Sequence, residues 1–364
     1  MGGAVVAKRV ADRTGSSRAR PGSWLLSPTL DLLLFANLAW PVVALLVIRG
    51  GMGQVSWLQL YLFSSPHRWI TIPLVLLDRE RAARQPYDLR RLSGALLGFG
   101  AVLVLVGRAA GAATGGLALF MMVDYAWNAW HFAAQHAGVY SMYARRSELG
   151  RGGAQRLAAR TSAIRVISLW MFLRLATVAS SNPRQPGLTR ELRQALGRSG
   201  AFMGRLDIVA IAAAVWLAVN ELRGNRDRAR IAYLLSWAGL YIALIVVAHR
   251  RAGGIAAGLT LAHAIFHAVE YISIVGWSVN GKRAGALGRI HRRLGLWVVG
   301  FMGVLMLANW LLASYSLWLW ALVTLLVSPV HYGIDGVIWK SRPKTPVLLR
   351  PLLRRPVAVV SVAS

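Results

Sequence analysis

The chain has 364 residues, of which 56% are hydrophobic, and it has a formal net charge of +29 and no cysteine. The absence of cysteine excludes disulfides, iron–sulfur clusters and thiolate metal sites. In a soluble protein this charge would suggest a nucleic-acid partner. No stretch here is long enough for a folded soluble module, so we expect no nucleic acid to bind.

Apolar runs recur from residue 30 almost to the C-terminus, and many could cross a bilayer core of about 30 Å as helices of roughly 20 residues. They predict an all-α fold, a polytopic transmembrane helix bundle over residues 29–340. A basic arm (1–28), predicted to be disordered, precedes the bundle, and a basic tail (341–364) follows it. We predict ten spans: Leu30–Ile48, Val55–Leu77, Leu92–Gly107, Gly115–Tyr143, Ser162–Ser180, Ala201–Asn220, Ile231–His249, Gly254–Trp277, Gly295–Ala313 and Leu317–Trp339.

The distribution of Lys and Arg predicts the orientation of these spans. Both terminal segments and the loops after the second and fourth spans are rich in basic residues, whereas the loop before Leu317 has none. Because Lys and Arg accumulate in cytoplasmic loops, both termini are predicted to be cytoplasmic. The basic stretch from Arg184 to Arg198, which would lie outside, is the one departure from this pattern. The basic loops could also attract anionic lipid headgroups of the bilayer.

Six of the eight histidines fall within four predicted spans, the second, fourth, eighth and tenth. These spans all cross the membrane in the same direction, and their positions place five of the histidines within roughly 10 Å of depth. Ionisable side chains inside a bilayer are costly and usually mark a functional site. The remaining two histidines, His249 and His291, are predicted to be surface residues.

Helical spacing places the polar residues on narrow faces that we expect to meet inside the bundle. One face has Asp124, Asn128, His131 and Gln135; another has His263, His267 and Glu270; a third has His331 and Asp335. His136 does not fit, because it lies about 140° from His131 on an ideal helix. A π-bulge would bring these two together; without one, His136 faces a different neighbour.

Neutral imidazole is the commonest metal ligand, and histidine with carboxylate suits iron, zinc, manganese or copper. The predicted metal ligands are His67, His131, His263, His267 and His331. Nearby polar residues could orient these rings or bind the metal directly. They are Glu270, Asp335, Gln135, His136, Asp124 and Asn128.

The second span is interrupted by Ser64-Ser65-Pro66-His67-Arg68, which predicts a kink or a broken helix. Arg68 is expected to form an ion pair with Asp124 inside the bundle. Arg174 and Asp207 also lie at or near membrane depth, and Pro41 and Pro329 are predicted to kink their helices.

Four motifs resemble a large set of uncharacterised bacterial His-rich polytopic membrane proteins: S-P-H-R-W from Ser65, W-H-F-x-x-Q-H-x-G from Trp130, H-x-x-x-H-x-x-E-Y from His263, and H-Y-x-x-D-G-x-I-W from His331. That set spans nearly the whole chain and implies a bacterial cytoplasmic (inner) membrane. The chain also resembles the Brp/Blh-type membrane β-carotene dioxygenases, which hold iron with histidines on several helices. This resemblance implies His67, His131, His263 and His267 as iron ligands. The chain departs from that family in its greater length and its additional His331 and Asp335 motif.

The leading hypothesis is a membrane oxidoreductase of the oxygenase or hydroxylase type. Its non-haem iron, with copper as the alternative, would act on a lipophilic small molecule, such as a carotenoid, an isoprenoid or an acyl lipid. Electrons would come from a donor partner or from the substrate. A proton-coupled transporter or channel, an intramembrane haem protein with two axial histidines, and a purely structural cluster are the alternatives. Three imidazole nitrogens that point at one position would favour a metal site. A chain of polar side chains that leads to both membrane surfaces would favour a proton-coupled transporter or channel. Two opposed imidazole rings with a flat gap between them would favour a haem site.

Overall fold

A computed structural model of the chain describes residues 24–50, 65–70, 89–109, 115–146, 153–180, 200–224, 227–280 and 294–338. Within these ranges every regular element is a helix and there is no strand, which confirms the all-α prediction. The long helices are α1 (Trp40–Arg49), α2 (Leu89–Ala109), α3 (Gly115–Arg146), α4 (Gly153–Ser180), α5 (Gly200–Gly224), α6 (Arg228–His249), α7 (Gly253–Asn280), α8 (Leu294–Tyr315) and α9 (Leu317–Ile338).

Four helices of the described chain are long and apolar enough to cross a membrane, over Gly153–Ala179, Phe202–Gly224, Arg228–His249 and Gly253–Val275. A bent pair, Pro28–Phe35 and Trp40–Arg49, would be a fifth span if its two halves cross together. These segments confirm the membrane-helix character of the chain. Helices α2, α3, α8 and α9 also form where the sequence predicts apolar helices.

The bent pair has a local cause. A π-helical turn (Asp31–Phe35) ends before Asn37, which has a left-handed φ of 42°, and the chain bends by 42°. Pro41 lies in the first turn of α1, where its missing N–H leaves no hydrogen bond unmade. The predicted kink at Pro41 is therefore a break between two short helices.

Helices α4, α5 and α6 run in alternating directions and are joined by charged side chains at both ends. At one end Glu221 of α5 pairs with Arg160 of α4 at 2.8 Å. At the other end Asp207 of α5 pairs with Arg174 of α4 at 2.8 Å and with His249 of α6 at 3.0 Å. His249, predicted to be a surface histidine, is indeed partly exposed, but it is also bonded to a buried carboxylate.

The interrupted segment of the second predicted span is a 3₁₀-helix, Ser65–Ile70, as its irregular sequence suggested. It packs against α7, α8 and α9, and α9 packs against α3. The rest of the predicted span Val55–Leu77 lies outside the described residues, as do residues 1–23 of the predicted arm, residues 339–340 of the predicted bundle and the whole predicted tail, residues 341–364. The polar site lies where this 3₁₀-helix meets α3, α7 and α9.

Candidate metal centre

The polar faces predicted for four separate segments do meet inside the bundle. All six clustered histidines are buried, with exposed fractions of 8% or less. The ring centroid of His67 lies 4.7 Å from that of His267 and 4.9 Å from that of His331. The ring contacts extend from there to the remaining three, His131, His136 and His263.

Three imidazoles from three different segments form the first ligand group: His67 of the 3₁₀-helix, His131 of α3 and His331 of α9. Each offers one nitrogen, and these nitrogens lie within 4.8 Å of one another. The Nε2 atoms of His131 and His331 are 3.2 Å apart.

That separation fits two neighbouring ligands of one metal ion. With metal–nitrogen bonds of about 2.0–2.1 Å, neighbouring ligand nitrogens are about 2.8–3.4 Å apart at angles between square and tetrahedral. Two axial ligands on opposite faces of a haem would be about 4 Å apart, with the macrocycle between them. The His131–His331 separation is therefore compatible with two ligands of a non-haem ion, and also with a hydrogen bond between the two rings.

A carboxylate lies beside the first group. The Oδ2 atom of Asp335 is 3.7 Å from Nε2 of His331 and 3.9 Å from Nδ1 of His131. Its other oxygen, Oδ1, accepts a hydrogen bond of 2.5 Å from the hydroxyl of Tyr271. Asp335 can therefore bind a metal or orient the imidazoles while Tyr271 fixes its position.

A second ligand group consists of His136, His267 and Glu270, whose ligand atoms also lie within 4.8 Å of one another. Helix α3 is a regular α-helix at His136, with no π-bulge, so this ring points towards α6 and α7. The Nδ1 atom of His136 lies 3.4 Å from Oε2 of Glu270. Gln135 donates hydrogen bonds to Glu270 Oε2 at 2.5 Å and to the carbonyl oxygen of His267 at 3.2 Å.

Several nitrogen atoms of the second group make no hydrogen bond within the described part of the chain. They are Nδ1 and Nε2 of His267 and Nε2 of His136. Both rings are fully buried. A buried polar atom without a partner costs about 1–3 kcal/mol, and a bound metal ion would provide the missing partner.

His263 occupies a different position from the other predicted ligands. Its Nε2 atom is 2.9 Å from the hydroxyl of Tyr241, and its ring packs 4.8 Å from that of Phe132. It belongs to neither three-residue group of the described chain. The structure thus places His263 beside the two groups, one turn of α7 away from His267.

The expected ion pair between Arg68 and Asp124 is confirmed, with Nη1 and Oδ1 3.5 Å apart. The guanidinium also donates to the hydroxyl of Ser328 and, at 3.5 Å, to Oδ1 of Asn128. It lies 5.3 Å above the ring of Tyr332, whose hydroxyl donates to Asn128 at 2.9 Å. Asp124 and Asn128, which the sequence predicts to orient the ligands or to bind the metal, contact Arg68 and so hold the segment that contains His67.

Sequence reasoning missed the tyrosines of the site. Tyr271 and Tyr332 directly follow predicted site residues, and that adjacency could have identified them. Tyr233 and Tyr241 lie on α6, which has no predicted site residue. Their hydroxyls fix His136 and His263, yet in the sequence they look like ordinary aromatic residues of an apolar helix.

Comparison of the chain with protein-family models, with curated proteins and with solved structures found no match in any of the three.

Proposed function

We propose that the chain is a metal-dependent oxidoreductase of the membrane, of the oxygenase or hydroxylase type, acting on a lipophilic substrate. The main observation in support is the convergence of His67, His131 and His331 from three separate segments. A hydrogen bond could hold the Nε2 atoms of His131 and His331 at 3.2 Å. A shared ion would hold these two nitrogens and that of His67 together.

Iron is the metal we propose, with copper as the alternative. Nitrogen and carboxylate ligands without sulfur suit both, and both can exchange electrons with dioxygen. When bound, the metal would supply oxygen activation. The protein residues would hold it, with Tyr271 fixing Asp335 beside the imidazoles, and the buried surroundings would exclude water.

The type of oxidation decides whether a partner is needed. A dioxygenase places both oxygen atoms in the substrate and consumes no external electrons. A hydroxylase places one atom in the substrate and reduces the other to water, which takes two electrons and two protons. For that reaction an electron donor would be a partner of this chain.

A lipophilic substrate is proposed because of the surroundings of the site. Large apolar side chains are exposed on two helices at the site, with exposed fractions of 52% for Trp130 of α3 and of 67% for Val304 and 56% for Leu307 of α8, which packs against the 3₁₀-helix. Apolar side chains exposed in this way are typical of a surface that faces lipid. A substrate dissolved in the bilayer could approach the buried histidines without crossing water. A carotenoid, as in the Brp/Blh-type enzymes that the motifs resemble, is one such molecule.

The topology is part of the proposal. Ten spans with both termini in the cytoplasm, in a bacterial cytoplasmic membrane, would agree with the distribution of basic loops. The charged contacts support alternating directions for three of these spans, α4, α5 and α6. Glu221 and Arg160 would lie on the cytoplasmic side, and Asp207 with Arg174 on the outer side.

The decisive experiment is the metal content of the detergent-purified protein, measured by plasma mass spectrometry. We expect at least one iron or copper ion per chain in the wild type. The variant His131→Ala/His331→Ala should bind at least one ion fewer than the wild type, and His249→Ala, which lies outside the cluster, should bind as many as the wild type. A wild type that binds no metal after reconstitution with iron, copper and zinc would overturn the proposal. Oxygen consumption with carotenoids, isoprenoids and acyl lipids would then identify the substrate class.

A further inference from the structure

The second ligand group has the features of a metal site in its own right. His136 of α3 and His267 and Glu270 of α7 are fully buried and offer ligand atoms within 4.8 Å of one another. Two imidazoles and one carboxylate form a common ligand set for iron and zinc. None of these residues belongs to the His67–His131–His331 group.

The hydrogen bonds around this group leave ligand atoms available. The hydroxyl of Tyr233 donates to the carbonyl oxygen of His136 at 3.3 Å, so its oxygen can accept from Nδ1 of the same residue, 3.0 Å away. Glu270 Oε2 also lies 3.4 Å from this Nδ1 atom, and a proton on Nδ1 that these two oxygens share would leave the lone pair on Nε2. Nε2 makes no hydrogen bond to any described residue. A ring whose other nitrogen is held in this way is the usual form of a ligating histidine.

His267 and Glu270 also have atoms available to bind a metal ion. Neither ring nitrogen of His267 has a hydrogen-bond partner among the described residues. Glu270 is held by Gln135, which donates to Oε2 at 2.5 Å and also to the backbone of His267. Gln135 thereby ties the two α7 residues to α3, the helix that provides His136.

The two ligand groups are immediate neighbours. The ring of His267 lies with its centroid 4.7 Å from that of His67 and 5.0 Å from that of His131. It is 6.3 Å from that of His136. His267 therefore lies between the first group and the other imidazole of its own group.

We propose that this protein binds two metal ions side by side, the first at His67, His131 and His331 and the second at His136, His267 and Glu270. This inference rests on the proposed function, because it assumes that the first group is a metal site. It adds a second ion that the spacing of residues in the sequence does not indicate. Two ions bound to these neighbouring groups would form a two-metal centre.

The test is the iron stoichiometry of the full-length protein, reconstituted with iron(II) under nitrogen and measured by plasma mass spectrometry and Mössbauer spectroscopy. We expect two irons per chain in the wild type. Glu270→Gln, which keeps the volume of the side chain, should bind fewer. Thr161→Ser, which keeps a buried hydroxyl of α4 outside the cluster, is the control and should keep two.

The possible results separate this inference from the proposed function. A wild type with two irons and a Glu270→Gln variant with one or none supports the second site. A wild type with one iron, or a Glu270→Gln variant that still binds two, overturns it and leaves the proposed function standing. A wild type with no iron overturns the inference of two irons, and it overturns the proposed function as well if reconstitution with copper also gives no bound metal. Circular dichroism and size-exclusion profiles of the variant are compared with those of the wild type. Unchanged profiles show that the variant is folded and that any loss of iron is not caused by unfolding.

Discussion

The ion pair between Arg68 and Asp124 should determine both the stability of the bundle and the position of His67. Both side chains are almost fully buried, and the charged atoms are 3.5 Å apart. We would replace Arg68 by Met, which has a similar length and no charge, and Asp124 by Asn, which has a similar shape and no charge. The double variant would contain neither buried charge.

The expected loss of stability follows from the burial of both charged side chains. Removing one partner of a buried ion pair leaves the other charge uncompensated and costs about 3–5 kcal/mol. The entropy of unfolding is about 2.1 cal/mol/K per residue, so for 364 residues 1 kcal/mol corresponds to about 1.3 °C, and Arg68→Met should lower the melting temperature by roughly 4–7 °C. Arg68→Met/Asp124→Asn should be more stable than Arg68→Met alone, because no unpaired carboxylate remains.

Thermal unfolding in detergent can be followed by intrinsic fluorescence, since the chain has 15 tryptophans. Arg145→Met, which removes an exposed arginine from the same helix as Asp124, is the control and should change stability by less than about 0.5 kcal/mol. Metal content measured on the same samples would show whether His67 stays in place. An Arg68→Met variant as stable as the wild type would refute this reasoning. The reasoning would also be refuted if the double variant lost as much stability as the two single variants lose together.

Three further predictions concern the site and the topology. Tyr271→Phe removes the hydroxyl that donates to Asp335 and should weaken metal binding about 10–100-fold in a metal titration; unchanged affinity would contradict the role of that bond. His263→Gln should keep the full metal content, because the structure pairs this residue with a tyrosine, and loss of metal would instead make it a ligand. Because the chain has no cysteine, Ser314→Cys should react with an impermeant maleimide in intact cells, and Ser147→Cys only after permeabilisation; the reverse pattern would invert the proposed orientation.

The sequence was sufficient to predict the helices and the meeting of their polar faces. Long apolar runs have few alternatives to a helix, and a narrow polar stripe on an apolar helix has to be buried against another polar surface. The spacing of Asp124, His131 and Gln135 therefore predicted a buried face correctly. The irregular segment around Pro66 was also recognisable, because proline interrupts a helix.

The division of the histidines into two groups was not predictable in the same way. It depends on how α3 and α7 are rotated and shifted relative to each other, and that is decided by packing across the whole bundle. His136 was set apart because it lies about 140° from His131. That angle is the reason it faces Glu270 rather than the first group. His263 shares a stripe with His267, but it lies one turn nearer the start of α7 and meets Tyr241 of α6.

The two ligand groups differ in how their positions are fixed. Helix α3 provides His131 to the first group and His136 to the second, so a regular helix sets the separation of these two rings. Helices α7 and α9 provide every other ligand except His67, which comes from the short 3₁₀-helix. A 3₁₀-helix has weaker hydrogen bonds than an α-helix, so its backbone alone positions a side chain less firmly. The adjacent Arg68, bound to side chains of α3 and α9, compensates for this weakness. We therefore expect loss of the Arg68 ion pair to displace His67 and to leave His136 in place.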